Sequence, residues 1–97
     1  MRFVVSGKSM EPKYFDGDKL FVSKILYRFL KPHRGGIVVV HDPRTGRLIV
    51  KRIESVEDNK YFVMGDNSAR STDSREFGVV EKSAIVGKVI LRYSSPR

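Results

Sequence analysis

Ile37-Val38-Val39-Val40 is the segment that most restricts how this chain can fold. A continuous β-branched run of that length suits a strand buried on both faces. It is closed by Pro32-His33-Arg34-Gly35-Gly36 on one side and by Asp42-Pro43-Arg44-Thr45-Gly46 on the other, both breaker-rich. Other strand-length runs follow the same punctuation. Phe3-Val4-Val5 is one, and Lys19 to Lys24 follows the Asp16-Gly17 turn. Arg47 to Ser55 and Lys60 to Met64 read as a hairpin across Glu57-Asp58-Asn59, and Ile85 to Tyr93 as a last strand. Ile25 to Leu30 is apolar at both helical and strand spacings, and Glu81 to Ala84 predicts one helical turn. There is no repeat, linker or low-complexity stretch. Residues 1–97 therefore read as one mainly β domain, a small barrel or coiled antiparallel sheet rather than an α/β fold.

The chemistry open to such a chain is narrow. At 97 residues and 40% apolar content the core is thin. With no cysteine there is no disulfide framework and no Cys-ligated zinc. Two histidines do not make a multi-His metal site, so neither metal nor cofactor is expected. The net charge of +8 favours anionic partners, but the basic residues are spread along the chain. Without an arginine-rich helix or basic tail the charge reads equally as a solvated surface, and nucleic-acid binding is not expected. The apolar runs fall far short of the roughly 20 residues of a membrane span. Arg2-Phe3-Val4-Val5 passes at once into polar residues, unlike a signal peptide. The chain reads as soluble, or as anchored by a segment outside it.

Covalent chemistry would fall to a serine. Ser9 sits in Val4-Val5-Ser6-Gly7-Lys8-Ser9-Met10-Glu11-Pro12, where a strand and a glycine turn hold a hydroxyl at a corner. Its base is the open question. His33 lies in a turn and His41 ends a strand, each without a supporting motif, so both read as surface residues. A lysine works as a base only when neutral, which requires a pKa well below about 10.4, and burial among apolar groups supplies that. Lys51 is the best placed, because strand alternation puts it on one face with Ile49 and Ile53. The competing reading makes Lys51 and Arg52 the polar face of an edge strand.

Gly65 to Gly78 is a long polar loop crowded with short hydroxyls, amides and carboxylates, of the kind that is usually functional. Asp73 and Arg75 can pair to fix it, and Ser71 can hydrogen-bond and orient a neutral lysine. Calcium fits poorly, since no acid opens the loop and no helices flank it. Gly7-Lys8-Ser9 lacks the leading glycine and following helix of a phosphate loop, and a penicillin-enzyme Ser-x-x-Lys motif is absent.

Together three segments resemble the type I signal peptidases, Ser-Lys proteases that remove signal peptides from exported proteins. They are Ser6-Gly-Lys-Ser-Met-Glu-Pro12 with Gly17-Asp18, then Arg34-Gly35 leading into Ile37 to Val40 and Lys51-Arg52, and finally Gly65-Asp-Asn-Ser-x-x-Ser71-x-Asp73-Ser-Arg75-x-x-Gly78. The resemblance runs from about Val4 to Val89. It implies that Ser9 is the nucleophile and Lys51 the general base, with Ser71 orienting Lys51. Asp73 and Arg75 would hold the loop, and the Ser9 N–H would supply one oxyanion donor. Where some members carry a donor serine two residues before the nucleophile, Gly7 stands here. The resemblance further implies cleavage after small residues, with the preprotein or leader peptide lying as an added β-strand beside the segments that precede Ser9 and Lys51, Gly7 and Val50 among them. The chain departs from the family in Lys13-Tyr14 after the serine motif and in Gly36 after Arg-Gly, and it has no room for the larger cap domain of many bacterial members.

The expectation is a Ser-Lys endopeptidase for signal or leader peptides. It would be membrane-associated with an extracytoplasmic site if an anchor lies outside this sequence, and otherwise soluble and cytoplasmic. An anionic membrane surface is a possible partner, with Ile25 to Leu30 as the dipping segment. The alternatives are a soluble maturation protease of the same fold, of the nickel superoxide dismutase leader type, and a non-catalytic basic β-module binding nucleic acid or anionic lipid.

Overall fold

The central strand of the molecule is the β-branched run. In the computed structural model, which describes residues 1–97, Ile37–His41 (β3) lies inside one seven-stranded antiparallel sheet. The other strands are Arg2–Val4 (β1), Lys19–Ser23 (β2), Leu48–Glu57 (β4), Lys60–Met64 (β5), Val80–Glu81 (β6) and Ile85–Ser94 (β7). Their order is β1-β2-β7-β3-β4-β5-β6, so β3 pairs with β7 on one edge and β4 on the other. Val38, Val39 and Val40 are wholly buried. Alternation splits the strand between two cores. Ile37 and Val39 join Met10, Leu20, Val22 and Val50 on one face, while Val38 and Val40 join Tyr27, Ile53, Tyr61 and Val63 on the other.

Of the two sheet forms read from the sequence, the coiled open sheet is present and the closed barrel is not. β1 and β6 remain edges, and both are very short, which suits strands with unpaired backbone groups. Bulges between β2 and β7, β3 and β7, and β4 and β5 add local twist. The hairpin strand starts at Leu48 rather than Arg47 and runs to Glu57, since Asp58 and Asn59 take the positive-φ turn positions. Ile25 to Leu30 forms neither a long helix nor a strand. It makes a 3-10 turn at Leu26–Arg28 with only Tyr27 buried. The polar loop is partly ordered by a 3-10 turn at Ser68–Arg70 and a single helical turn at Ser74–Phe77 (α1).

The connection from β1 to β2 carries Ser9. Its base is stapled shut by Val5 N–H to Asp18 O and Gly17 N–H to Val5 O, both 2.8 Å. Asp18 is fully buried and accepts from Phe15 N–H, Arg92 and Ser95 Oγ. Met10 is also fully buried in the first core, which pins the neighbouring Ser9 at the sheet surface.

Candidate active site

Lys51 has an unusual position for a lysine. It is 3% exposed, on the strand face that carries Ile49 and Ile53, with Ile53 wholly buried. Its amine donates to Ser71 Oγ at 2.8 Å. Burial holds the Lys51 pKa below the ordinary lysine value. Attraction to Asp73 works against that shift and the Arg75 charge works with it.

The loop supplies the rest. Ser71 Oγ donates to Asp73 Oδ2 at 2.8 Å, and Gly65 N–H donates to the same oxygen at 3.0 Å. Arg75 adds its backbone N–H and its guanidinium at 3.2 and 2.9 Å to Asp73 Oδ1. Burial would raise the Asp73 pKa, but these donors outweigh it and hold the carboxyl at about 2. Arg75 also reaches the Ser68 carbonyl at 2.7 Å, so one guanidinium ties the loop across itself. Ser74 Oγ accepts from Val63 N–H at 2.8 Å, locking α1 to β5.

Three loop residues left unassigned by sequence reasoning set how the loop meets β4 and the Ser9 turn. Asp66 forms a two-point ion pair with Arg52, the residue beside Lys51, at 2.8 and 2.9 Å. Asn67 donates through its backbone to the Ser9 carbonyl at 2.8 Å and through its side chain to the Lys8 carbonyl at 3.1 Å. Gly65 is the point of closest approach. A Cβ there would clash with Ser71 Oγ and would sit 2.6 Å from the Ser9 carbonyl oxygen, so a side chain at 65 would push the Ser9 turn and Ser71 apart. The repeated Gly, Asp and Asn of the loop was the only signal for these roles.

Ser9 and Lys51 line the same open cleft of about 360 Å³, and both also line a narrow groove of about 50 Å³ that continues from it. The Ser9 hydroxyl and N–H take no protein partner, while the carbonyl is held by Asn67. Gly7 turns the chain before Ser9 with φ of +87°, a region that favours glycine. Its N–H donates to the Asp16 carboxylate at 2.7 Å, and Gly7 lines the wider cleft beside Ser9.

Val50 faces this groove with its backbone. Ile53 exchanges both backbone hydrogen bonds with Gly35 and Gly36 on the β3 side, so alternation directs the N–H and C=O of Leu48 and Val50 to the opposite edge. β5 pairs with β4 only from Arg52 onward, so that edge is unpaired where Phe3, Ser6 and Ser9 lie across from it. The arrangement offers a partner-free hydroxyl, a buried amine held by one hydrogen bond, and an open strand edge, all on one cleft. No group of His, Asp or Glu with metal-holding geometry is present, and no helix is long and apolar enough to cross a membrane.

Comparison with known proteins shows the family. A family model described as signal peptidase, peptidase S26, matches residues 1–55 and 53–94. The chain is 33% identical to the mitochondrial ATP-independent inner membrane protease subunit 1a of Arabidopsis thaliana, over 95% of this chain and 69% of that protein. It is 28% identical to signal peptidase I U of Bacillus subtilis, over 88% of this chain and 71% of the relative, and 25% identical to signal peptidase IB of Staphylococcus aureus, over 94% and 76%. The last two alignments span 132 and 145 residues, longer than the chain itself, so these relatives carry inserted segments that this chain lacks.

Proposed function

The chain belongs to the peptidase S26 family of signal peptidases, and from that premise we propose that it is a Ser-Lys endopeptidase that removes signal or leader peptides after small residues. The observation that carries the reading is the buried Lys51 amine on Ser71, lining the same cleft as a partner-free Ser9. Neutral Lys51 takes the Ser9 proton as Oγ bonds to the scissile carbonyl carbon, whose oxygen becomes the oxyanion. The free Ser9 N–H is available to that oxyanion as one donor. Collapse breaks the C–N bond, and the Lys51 ammonium gives its proton to the leaving amine. Water then loses a proton to Lys51 as it attacks the acyl ester. Ser9 regains that proton when the ester C–O bond breaks. No step calls on a metal or cofactor.

The substrate lies as an added strand between Ser6–Ser9 and Leu48–Val50, using the unpaired β4 edge. A groove of about 50 Å³ suits small side chains next to the cut. The charge of +8 and the exposed apolar tip at Phe29 and Leu30 support work beside an anionic membrane. If an anchor lies outside this sequence, the active site would face away from the cytoplasm.

Mass spectrometry of a preprotein with an Ala-x-Ala leader, incubated with parent, Ser9→Ala and Lys51→Ala proteins, tests the proposal. Cleavage by the parent alone is expected, with each variant lower by more than about a thousandfold. Equal cleavage by the Ser9→Ala protein would sink it.

A further inference from the structure

The cleft beside Ser9 and Lys51 has an unbalanced wall. Of its 12 lining residues only Ile49 is hydrophobic. Lys8, Arg44, Arg47 and Arg70 bring positive groups beside the Lys51 amine, and Asp42 is the single carboxylate. Asp42 is itself buried and already spoken for, accepting from the Arg44 backbone at 2.8 Å and its guanidinium at 3.4 Å. No protein carboxylate answers Lys8, Arg47 or Arg70, while every other arginine deep in the site has its acid: Arg52 has Asp66 and Arg75 has Asp73. Three exposed cations thus line the cleft that holds Ser9 and Lys51 from three different segments: the Ser9 turn, the residue just before β4 and the Ser68–Arg70 turn.

We propose that this cleft is an anion subsite that selects substrates carrying an Asp or Glu side chain within a few residues of the cleaved bond. The inference rests on the peptidase reading, since it takes the cleft as the path of the substrate strand. The narrow groove along Leu48–Val50 holds the backbone and small side chains. The chain that continues past it enters the wider cleft, where a carboxylate meets Arg47, Arg70 and Lys8. Clefts lined by one sign of charge raise the local concentration of the opposite charge and steer its approach. Exposed pairs of this kind are individually weak, so selection comes from their convergence and is screened by salt.

The test uses leader peptides that differ only by Asp or Asn, scanned through the positions around the cut. The parent should cleave the best Asp peptide about fivefold or more faster in kcat/KM than its Asn twin at low salt. The ratio should fall toward one at high salt and in an Arg47→Gln, Arg70→Gln double variant. Binding of the same peptides to Ser9→Ala protein by fluorescence anisotropy separates the two readings. Tighter binding of the Asp peptide without cleavage by the parent would retire the peptidase reading and keep the anion site. Equal kcat/KM and equal binding for the pair would overturn the anion site and leave the peptidase standing. If the double variant loses binding to phosphatidylglycerol vesicles but not the peptide preference, the cationic wall is a membrane contact and the proposal is wrong.

Discussion

Lys51 Nζ donates to Ser71 Oγ at 2.8 Å, and the direction of that bond is set by the next one. Ser71 has one proton and commits it to Asp73, whose carboxyl, with a pKa of about 2, has none to return. Ser71 can therefore only accept from the amine. A neutral lysine in this place points one hydrogen at Ser71 and keeps its lone pair for the cleft shared with Ser9.

Ser71→Ala removes the acceptor that aims Lys51 but leaves the amine in place. The expected result is a loss of about tenfold to a hundredfold in kcat/KM, the scale of a misplaced catalytic group. Ser71→Thr retains a hydroxyl and should recover most of it. Steady-state kinetics on the three proteins, with circular dichroism to show that each is folded, checks this. An alanine variant with parent activity would separate Ser71 from the chemistry.

Lys51 also sets a pH dependence. Burial lowers its pKa, so activity should be absent at low pH and should climb as the ammonium loses its proton, below the pH where an ordinary lysine titrates. Stability follows with a definite sign. Between the folded and unfolded pKa the unfolded chain binds more protons, so the folded state gains stability as pH rises through that window. Lys51→Met is expected to abolish cleavage yet raise the urea midpoint at neutral pH, with the advantage shrinking toward pH 10. A gain that does not change with pH would mean that packing, rather than charge burial, is its source.

The positions of Ser9 and Lys51 on a common cleft were legible because each sits in a local pattern. A glycine turn after a strand carries Ser9, and alternation within a strand carries Lys51. The strands themselves were legible from β-branched runs between breakers. Sheet order was not, because β7 inserts between β2 and β3 through contacts distant in sequence. The open edges were not legible either: closure depends on twist accumulated across bulges, which no single segment encodes. Asp16 on Gly7, Asp66 on Arg52 and Asn67 on the Ser9 turn were missed for a related reason. A polar residue in a loop looks the same in sequence whether it meets water or a backbone group many residues away.

Asp73 makes the fold sensitive to acid. Its pKa is about 2 in the folded protein against 3.8 when free, so its contribution is complete above the free value and is lost as pH falls toward 2. The contribution is on the order of 2 kcal/mol. Asp73→Asn should cost about that much at pH 7, with little difference from the parent remaining near pH 2. Denaturant unfolding at several pH values measures both; a constant difference across the range would contradict the linkage.

The exposed apolar tip predicts a membrane effect. Phe29 is 82% exposed and Leu30 58%, and they stand between Arg28 and Lys31. Burying such side chains in the interface stabilises binding, by about 1.5–3 kcal/mol for a side chain taken fully out of water. Replacing both by serine should lower sedimentation with phosphatidylglycerol liposomes at least tenfold and leave peptide cleavage in solution untouched. Unchanged sedimentation would show that the tip is not the contact.

Gly65 offers the sharpest separation of stability from function. Gly65 has no left-handed backbone to lose, so the cost of Gly65→Ala is steric and local. The new methyl group must displace either the Ser9 carbonyl or Ser71, and both are anchored, Ser9 by Asn67 and Ser71 by Asp73. Under the proposed mechanism, a shift of even about 1 Å between the Ser9 turn and Ser71 is enough to cost on the order of a hundredfold in rate. The same overpacking typically costs about 1–3 kcal/mol of stability. The variant should therefore remain folded by circular dichroism at 25 °C while its kcat collapses. If kcat survives in a folded Gly65→Ala protein, the spacing between Ser9 and Ser71 is not what the reaction depends on.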